Sequence, residues 1–148
     1  MLKKLISTNN DVAITVVRIT LGLVMFPHGA QKALGWFGGY GFSGTMGFFT
    51  GTMGVPAIMA FLVILAEFAG ALGLIVGLGT RVAAFGMAAV MTGAIFMAHL
   101  SNGFFMNWYG NQQGEGFEYH LLVIGMALAL IIRGGGAFSL DRKLQDRF

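Results

Sequence analysis

The sequence predicts an all-α integral membrane protein, a bundle of four transmembrane helices with a short interfacial or re-entrant segment between the first and second helices. Composition is the first observation behind this prediction. Of the 148 residues, 56% are hydrophobic and 10% are charged, whereas soluble domains carry about 25% charged residues. The 24 glycines are the second observation, because small residues let membrane helices pack closely. The third is the presence of four long apolar runs.

The four runs cover residues 12–31, 56–78, 82–100 and 117–132. A helix that crosses a bilayer needs about 20 mainly apolar residues. The first run has Asn10 or Asp11 as a candidate N-cap, and it is expected to be retained as a span and not cleaved as a signal peptide. Pro56 suits the first position of the second helix. The fourth run is short, so it needs snorkelling at Arg133 or a thin bilayer.

Two other segments complete the single domain predicted over residues 1–148. The 34–55 connection mixes glycine with Phe, Met and Thr, and it is expected to lie in the outer interface or dip into it. Its G-x-G-x-x-G pattern follows no predicted strand, so we interpret it as chance and not as a dinucleotide site. Residues 137–148 form a predicted amphipathic tail on the inner surface. Ser139 is its candidate cap, and the apolar stripe is Leu140, Leu144 and Phe148.

Basic residues predict the orientation, because cytoplasmic loops are enriched in Lys and Arg. They lie before the first run, between the second and third, and after the fourth. The residues concerned are Lys3, Lys4, Arg81, Arg133, Arg142, Lys143 and Arg147. Both termini are therefore expected in the cytoplasm. Trp36, Trp108 and Tyr109 then mark the outer interface.

Several classes of site are not expected. The chain has no cysteine, which excludes disulfides, iron–sulfur clusters and covalent haem. The sequence has no recognisable spacing for a metal site and no motif for haem, so no metal is predicted. It also has no long basic run, so nucleic acid is not an expected partner.

Two charges fall inside the predicted spans. Arg18 and Glu67 come out at similar depth when His28 and Pro56 are taken as level ends of antiparallel helices. Charges inside a membrane are costly and normally pair, so we expect Arg18 and Glu67 to face each other. Two interpretations stay open. One is a structural ion pair, and the other is a pair that handles protons or binds a ligand.

A second polar group falls at the outer ends of the spans. All three histidines of the chain belong to it, and its members are His28, Lys32, His99, Glu118 and His120. We expect His28, His99, His120 and Glu118 to line one pocket beneath the 34–55 connection. The alternative is a set of unrelated interfacial residues that satisfy helix ends.

The same residues carry a family resemblance. The stretches RITLGLVMFPHGAQKALGWFGG (18–39) and LAEFAGALGLIVGLGTR (65–81) resemble the opening signature and second-helix pattern of the DoxX family. AHLSNGFF (98–105), GFEYHLL (116–122) and GAFSLD (136–141) are similar to its later blocks. The resemblance implies a four-helix protein of the bacterial cytoplasmic membrane. It also implies a link to quinones, because the family is named after a subunit of an archaeal thiosulfate:quinone oxidoreductase. Other members are linked to oxidative, thiol or quinone stress.

Three functional hypotheses remain open. The first is a redox-associated subunit that binds a quinone or another lipophilic redox compound, with electrons delivered by a soluble oxidoreductase partner. The second is a non-catalytic binding or transport protein, in which Arg18 and Lys32 hold an anion and Glu67 accepts a proton. The third is a membrane scaffold for soluble oxidoreductases. Whether the chain is itself an enzyme stays open, and homo-oligomers are compatible with each hypothesis.

Overall fold

The computed structural model describes residues 5–145 and residue 147. Four long helices form the bundle: α1 (Val12–Leu34), α3 (Ala57–Val76), α4 (Thr80–Ala94) and α5 (Glu118–Arg133). Two short helices, α2 (Gly41–Gly47) and α6 (Leu140–Gln145), flank them. No strand occurs in the part of the chain that the structure describes. The predicted all-α class is therefore confirmed.

The helix ends follow the local sequence. The Asp11 side chain caps α1 by accepting a hydrogen bond from the backbone N–H of Ile14 at 3.2 Å. Gly35 ends α1 in the left-handed conformation, with φ of 75°, which glycine adopts without steric cost. The helix therefore runs three residues beyond its predicted end. Pro56 lies at the N-cap of α3, one position before the place predicted for it.

Helix α4 continues beyond its regular part. A π-helical turn (Ile95–His99) and a 3₁₀ turn (Leu100–Asn102) extend it to residue 102. A second π-helical turn (Phe48–Thr52) follows α2, and a 3₁₀ turn (Trp36–Gly38) precedes it. Isolated π-helical turns are frequent at functional sites, which makes the end of α4 of interest.

Helices α1 and α3 pack antiparallel and very closely. A Cβ atom on Gly29 would lie 2.5 Å from the carbonyl oxygen of Glu67, and one on Gly22 would lie 3.1 Å from that of Ala71. These two glycines lie two turns apart on the same face of α1, and they set the register of the pair. The apolar core lies between all four long helices, and its largest fully buried apolar side chains are Leu21, Met25, Leu74, Met87 and Leu130.

Within the described residues, three helices are long and apolar enough to cross a membrane: Val12–Leu34, Ala57–Val76 and Thr80–Asn102. Helix α5 has 16 residues, fewer than the roughly 20 that a full crossing needs. The fourth span and the re-entrant segment therefore stay predictions. Arg133, predicted to snorkel, forms an ion pair with Asp11 at 3.1 Å.

The C-terminal segment packs against the start of α4. The Asp141 carboxylate accepts hydrogen bonds from the backbone N–H groups of Gly79 and Thr80, at 2.7 and 2.8 Å, and is 1% exposed. Ser139 caps α6 through Arg142 N, as predicted, at 3.3 Å. Phe148 of the predicted stripe lies outside the described residues, as do Lys3 and Lys4, and placement of the tail on the inner leaflet stays a prediction.

Candidate functional site

The predicted pairing of Arg18 with Glu67 is wrong. Arg18 is fully buried and its guanidinium donates to backbone carbonyls near the C-terminal end of α3 and in the segment after α5. Nε donates to Gly135 O at 2.7 Å, and Nη2 donates to Phe138 O at 2.8 Å. Nη1 donates to Leu74 O and, at 2.8 Å, to Ile75 O.

The register between α1 and α3 explains the error. Glu67 lies level with Gly29, eleven residues or about 16 Å along α1 from Arg18. His28 and Pro56 are therefore not level ends, because α3 extends well past the end of α1. The arginine instead satisfies carbonyls in the last turn of α3, where a cation is also favoured by the helix dipole, and two carbonyls of the segment after α5.

Glu67 pairs with Lys32. Lys32 Nζ lies 2.6 Å from Glu67 Oε2, with the side chains 25% and 5% exposed. Glu67 lies near the middle of α3, ten residues from Ala57 and nine from Val76. Lys32 reaches it because α1 ends beside that point. The structure thus brings together two of the predicted site residues in a pairing that the sequence did not indicate.

The histidines approach one another beside this ion pair. The rings of His99 and His120 have centroids 4.1 Å apart. His99 is the last residue of the π-helical turn at the end of α4, and His120 lies in the first turn of α5. The ring of His28 lies 6.3 Å from that of Tyr119, and Tyr119 lies 5.6 Å from His120. We call His28, Tyr119, His120 and His99 the histidine row.

Tyr119 was not predicted. Its ring stands between two histidines of the row, and its hydroxyl lies 3.4 Å from Met25 Sδ. Lys32 follows His28 by four residues, about one turn of α1, so its ion pair with Glu67 lies beside the row. The sequence feature that could have indicated Tyr119 is the tripeptide Glu118-Tyr119-His120, which places three polar side chains at the start of an otherwise apolar helix.

Glu118 binds the loop that precedes α5. Its Oε1 atom accepts hydrogen bonds from Met106 N at 2.9 Å and from Trp108 Nε1 at 3.3 Å. Glu118 is the first residue of α5, as predicted, and its carboxylate fixes the 103–117 loop. No hydrogen bond joins Glu118 to a histidine in the described part of the chain, so its convergence with the histidines stays a prediction.

The loop that adjoins the histidines is 103–117. Nδ1 of His99 lies 2.8 Å from the backbone carbonyl oxygen of Glu115, and Asn102 Nδ2 donates to the same oxygen at 3.1 Å. The predicted roof, the 34–55 connection, packs its helix α2 against α1 and α3. An enclosed pocket under that connection stays a prediction.

One buried atom in the row lacks a partner. His120 is 6% exposed, and its Nδ1 atom makes no hydrogen bond within the part of the chain that the structure describes. Buried polar atoms are nearly always paired, so such an atom needs an explanation, a missing ligand being one. No group of three or more metal-ligating side chains occurs among the described residues.

Comparison with known proteins agrees with this architecture. The DoxX family model matches residues 13–100. The chain is 32% identical to the Inner membrane protein YqjF of Escherichia coli (strain K12), covering 93% of this chain and 96% of that protein. It is 31% identical to the Putative oxidoreductase CatD of Bacillus subtilis (strain 168), covering 88% and 86%. No solved structure matches. With its long apolar helices and this match over most of its length, the chain is a membrane protein and belongs to the DoxX family.

Proposed function

We propose that the protein is a redox-associated subunit of the bacterial cytoplasmic membrane that binds a quinone or another lipophilic redox compound at the histidine row. The observation that carries the proposal is the unpartnered Nδ1 of the buried His120, whose ring lies 4.1 Å from that of His99. A ligand atom at this point would satisfy it.

The chemistry of the row suits such a ligand. Quinone and quinol exchange protons together with electrons, and histidine is the side chain that titrates nearest neutral pH. Tyr119 adds a hydroxyl group, and the Lys32–Glu67 pair places a proton acceptor and a proton donor beside the row. The sequence has no motif for a haem, an iron–sulfur cluster or a dinucleotide that could carry electrons. Electrons would therefore pass to or from a soluble oxidoreductase partner. A role in oxidative or thiol stress would follow from that partnership.

The names of the relatives support the same assignment. One is named a putative oxidoreductase and the other an inner membrane protein. Together with the basic residues on one side, this favours the cytoplasmic membrane with both termini inside.

The anion-binding alternative loses its main support. Arg18 donates four hydrogen bonds to carbonyl oxygens and lies fourteen residues, about 21 Å, from Lys32 along α1. The two cations therefore cannot hold one anion together. A membrane scaffold remains compatible with the fold, but no contact in the described chain favours it.

Identification of co-purified small molecules tests the proposal. Protein extracted from native membranes in mild detergent is analysed by mass spectrometry for bound quinones. We expect wild type to retain a quinone or related compound, and His120→Phe to lose it, because phenylalanine keeps the ring but removes both nitrogens. Lys143→Gln, an exposed change on α6, is the matched control and should retain it. Equal amounts in all three proteins would contradict the proposal.

A further inference from the structure

The hydrogen bond to His99 determines which of its ring nitrogens carries the proton. Nδ1 lies 2.8 Å from the backbone carbonyl oxygen of Glu115. A carbonyl oxygen can only accept a hydrogen bond, so Nδ1 must be the donor. In the neutral ring, Nε2 then carries a lone pair and can only accept. Arrangements of this kind, in which one nitrogen is held by a backbone carbonyl, are the usual way in which a protein orients the other.

His99 adjoins the buried histidine of the row whose ring nitrogen has no partner in the described chain. His99 is the last residue of a π-helical turn, and its ring is tilted against that of His120 at an interplanar angle of 45°. His120 is more than nine-tenths buried and its Nδ1 is without a partner among the described residues. The rings of His99 and His120 thus lie side by side. Of their nitrogens, Nε2 of His99 is identified as a hydrogen-bond acceptor by the bond that Nδ1 makes.

Resting on the proposed function, we infer that the row binds the reduced, hydroxyl-bearing form of its redox ligand, a quinol or a similar phenol, with the ligand O–H donated to His99 Nε2. A quinone presents only carbonyl lone pairs on its ring oxygens. A lone pair of His99 facing a carbonyl oxygen gains no hydrogen bond and leaves both atoms unsatisfied. A site built to pair with a substrate hydroxyl discriminates strongly against an analogue that lacks it.

The experiment compares three ligands that share one ring and one short alkyl tail: a benzoquinol, its dimethyl ether and the corresponding benzoquinone. Each is titrated anaerobically into the full chain in detergent, and Kd is measured. We expect the quinol to bind at least about tenfold more tightly than the other two, since one good hydrogen bond is worth about one decade in Kd.

Two variants at His99 separate its nitrogens. In His99→Asn the amide N–H replaces Nδ1 as donor to Glu115, and nothing replaces Nε2, so the preference for the quinol should disappear. In His99→Gln the longer side chain places an amide near the Nε2 position, and part of the preference should return. Lys143→Gln serves as the control that retains it in full.

The outcomes separate this inference from the proposed function. If the quinone or the ether binds as tightly as the quinol, the inference is overturned and quinone binding stands. If none of the three ligands binds, the proposed function itself is overturned. Retention of the full quinol preference in His99→Asn would overturn the role of Nε2. Should the variants fail to remain monodisperse, the three Kd values of wild type decide the inference alone.

Discussion

Lys32 and Glu67 form an ion pair whose carboxylate is almost completely buried near the middle of α3. Removing one partner leaves an unpaired charge in an apolar setting, which costs about 3–5 kcal/mol in soluble proteins. We therefore expect Glu67→Gln and Lys32→Met each to lower the thermal stability of the detergent-solubilised protein and its yield. The double variant Lys32→Met with Glu67→Met should recover most of the stability, because no charge is then left unpaired.

The same variants separate a structural pair from a functional one. A double variant that is stable but retains no bound ligand would assign the pair to the site, as the proposal expects. A double variant that is stable and retains ligand would show that Lys32 and Glu67 only hold α1 and α3 together and do not contribute to ligand binding. Single variants as stable as wild type would show that the pair is not buried in solution.

Arg18 stabilises the end of the bundle at which α3 and α5 finish, opposite to the histidine row. It satisfies carbonyl oxygens of Leu74, Ile75, Gly135 and Phe138, and each buried carbonyl left unpaired costs about 1–3 kcal/mol. Arg18→Met should therefore strongly reduce folding yield and melting temperature. Arg18→Lys should give an intermediate loss, because an ammonium keeps the charge but cannot span the same four acceptors. Wild-type melting behaviour in Arg18→Met would contradict this role.

At the scale of elements, Gly29 sets the distance between α1 and α3. A methyl group there would meet the backbone of Glu67 and Phe68 within 2.6 Å, and backbone cannot rotate away. Gly29→Ala is therefore expected to separate the helices and to destabilise the protein by about 1–3 kcal/mol, with a lower melting temperature. Gly125→Ala in α5 is the matched control, since a Cβ there meets nothing within 4 Å. That variant should melt at or above wild type.

The α1–α3 register shows where sequence reasoning stops. Hydrophobic runs and caps predicted each long helix to within about three residues, when the turns that extend α4 to residue 102 are counted with it, because those signals are local. The relative offset of two helices depends on where their backbones can touch, and that was set by Gly22 and Gly29. Without this contact, Arg18 was aligned with Glu67. The sequence contains 24 glycines, and nothing local distinguishes the two that lie at the contact.

The site was predictable in part for the same reason. Three histidines at one level followed from the span ends alone, and the structure brings the rings of His99 and His120 together. Glu118 is held by N–H groups of Met106 and Trp108 in an irregular loop, and helical periodicity in the sequence does not predict contacts of that kind. Tyr119 was not singled out from the sequence, because a tyrosine is common at any helix end near a membrane interface.

At the scale of the whole molecule, the orientation in the membrane is the open prediction. The natural chain has no cysteine, so single cysteines report unambiguously. Lys143 and Gln112 are both exposed, which removes burial as a cause of poor labelling. Lys143→Cys should be protected from an impermeant thiol reagent applied outside, and Gln112→Cys should react, because basic residues favour the cytoplasmic side. A permeant reagent should label both. Labelling of Lys143→Cys from outside would show that the orientation is opposite to the one predicted.

The proposed function requires that a redox ligand binds at the histidine row, and photolabelling locates such a ligand on the whole molecule. A quinone analogue that carries an azide is bound to the purified protein and irradiated, and the labelled peptides are identified by mass spectrometry. We expect labels within residues 25–32 and 96–123, the segments that carry the row, and we expect these labels to be lost when excess unlabelled quinol is added. Labels concentrated around Arg18 and residues 134–145, or labels that excess quinol does not displace, would contradict the proposed function.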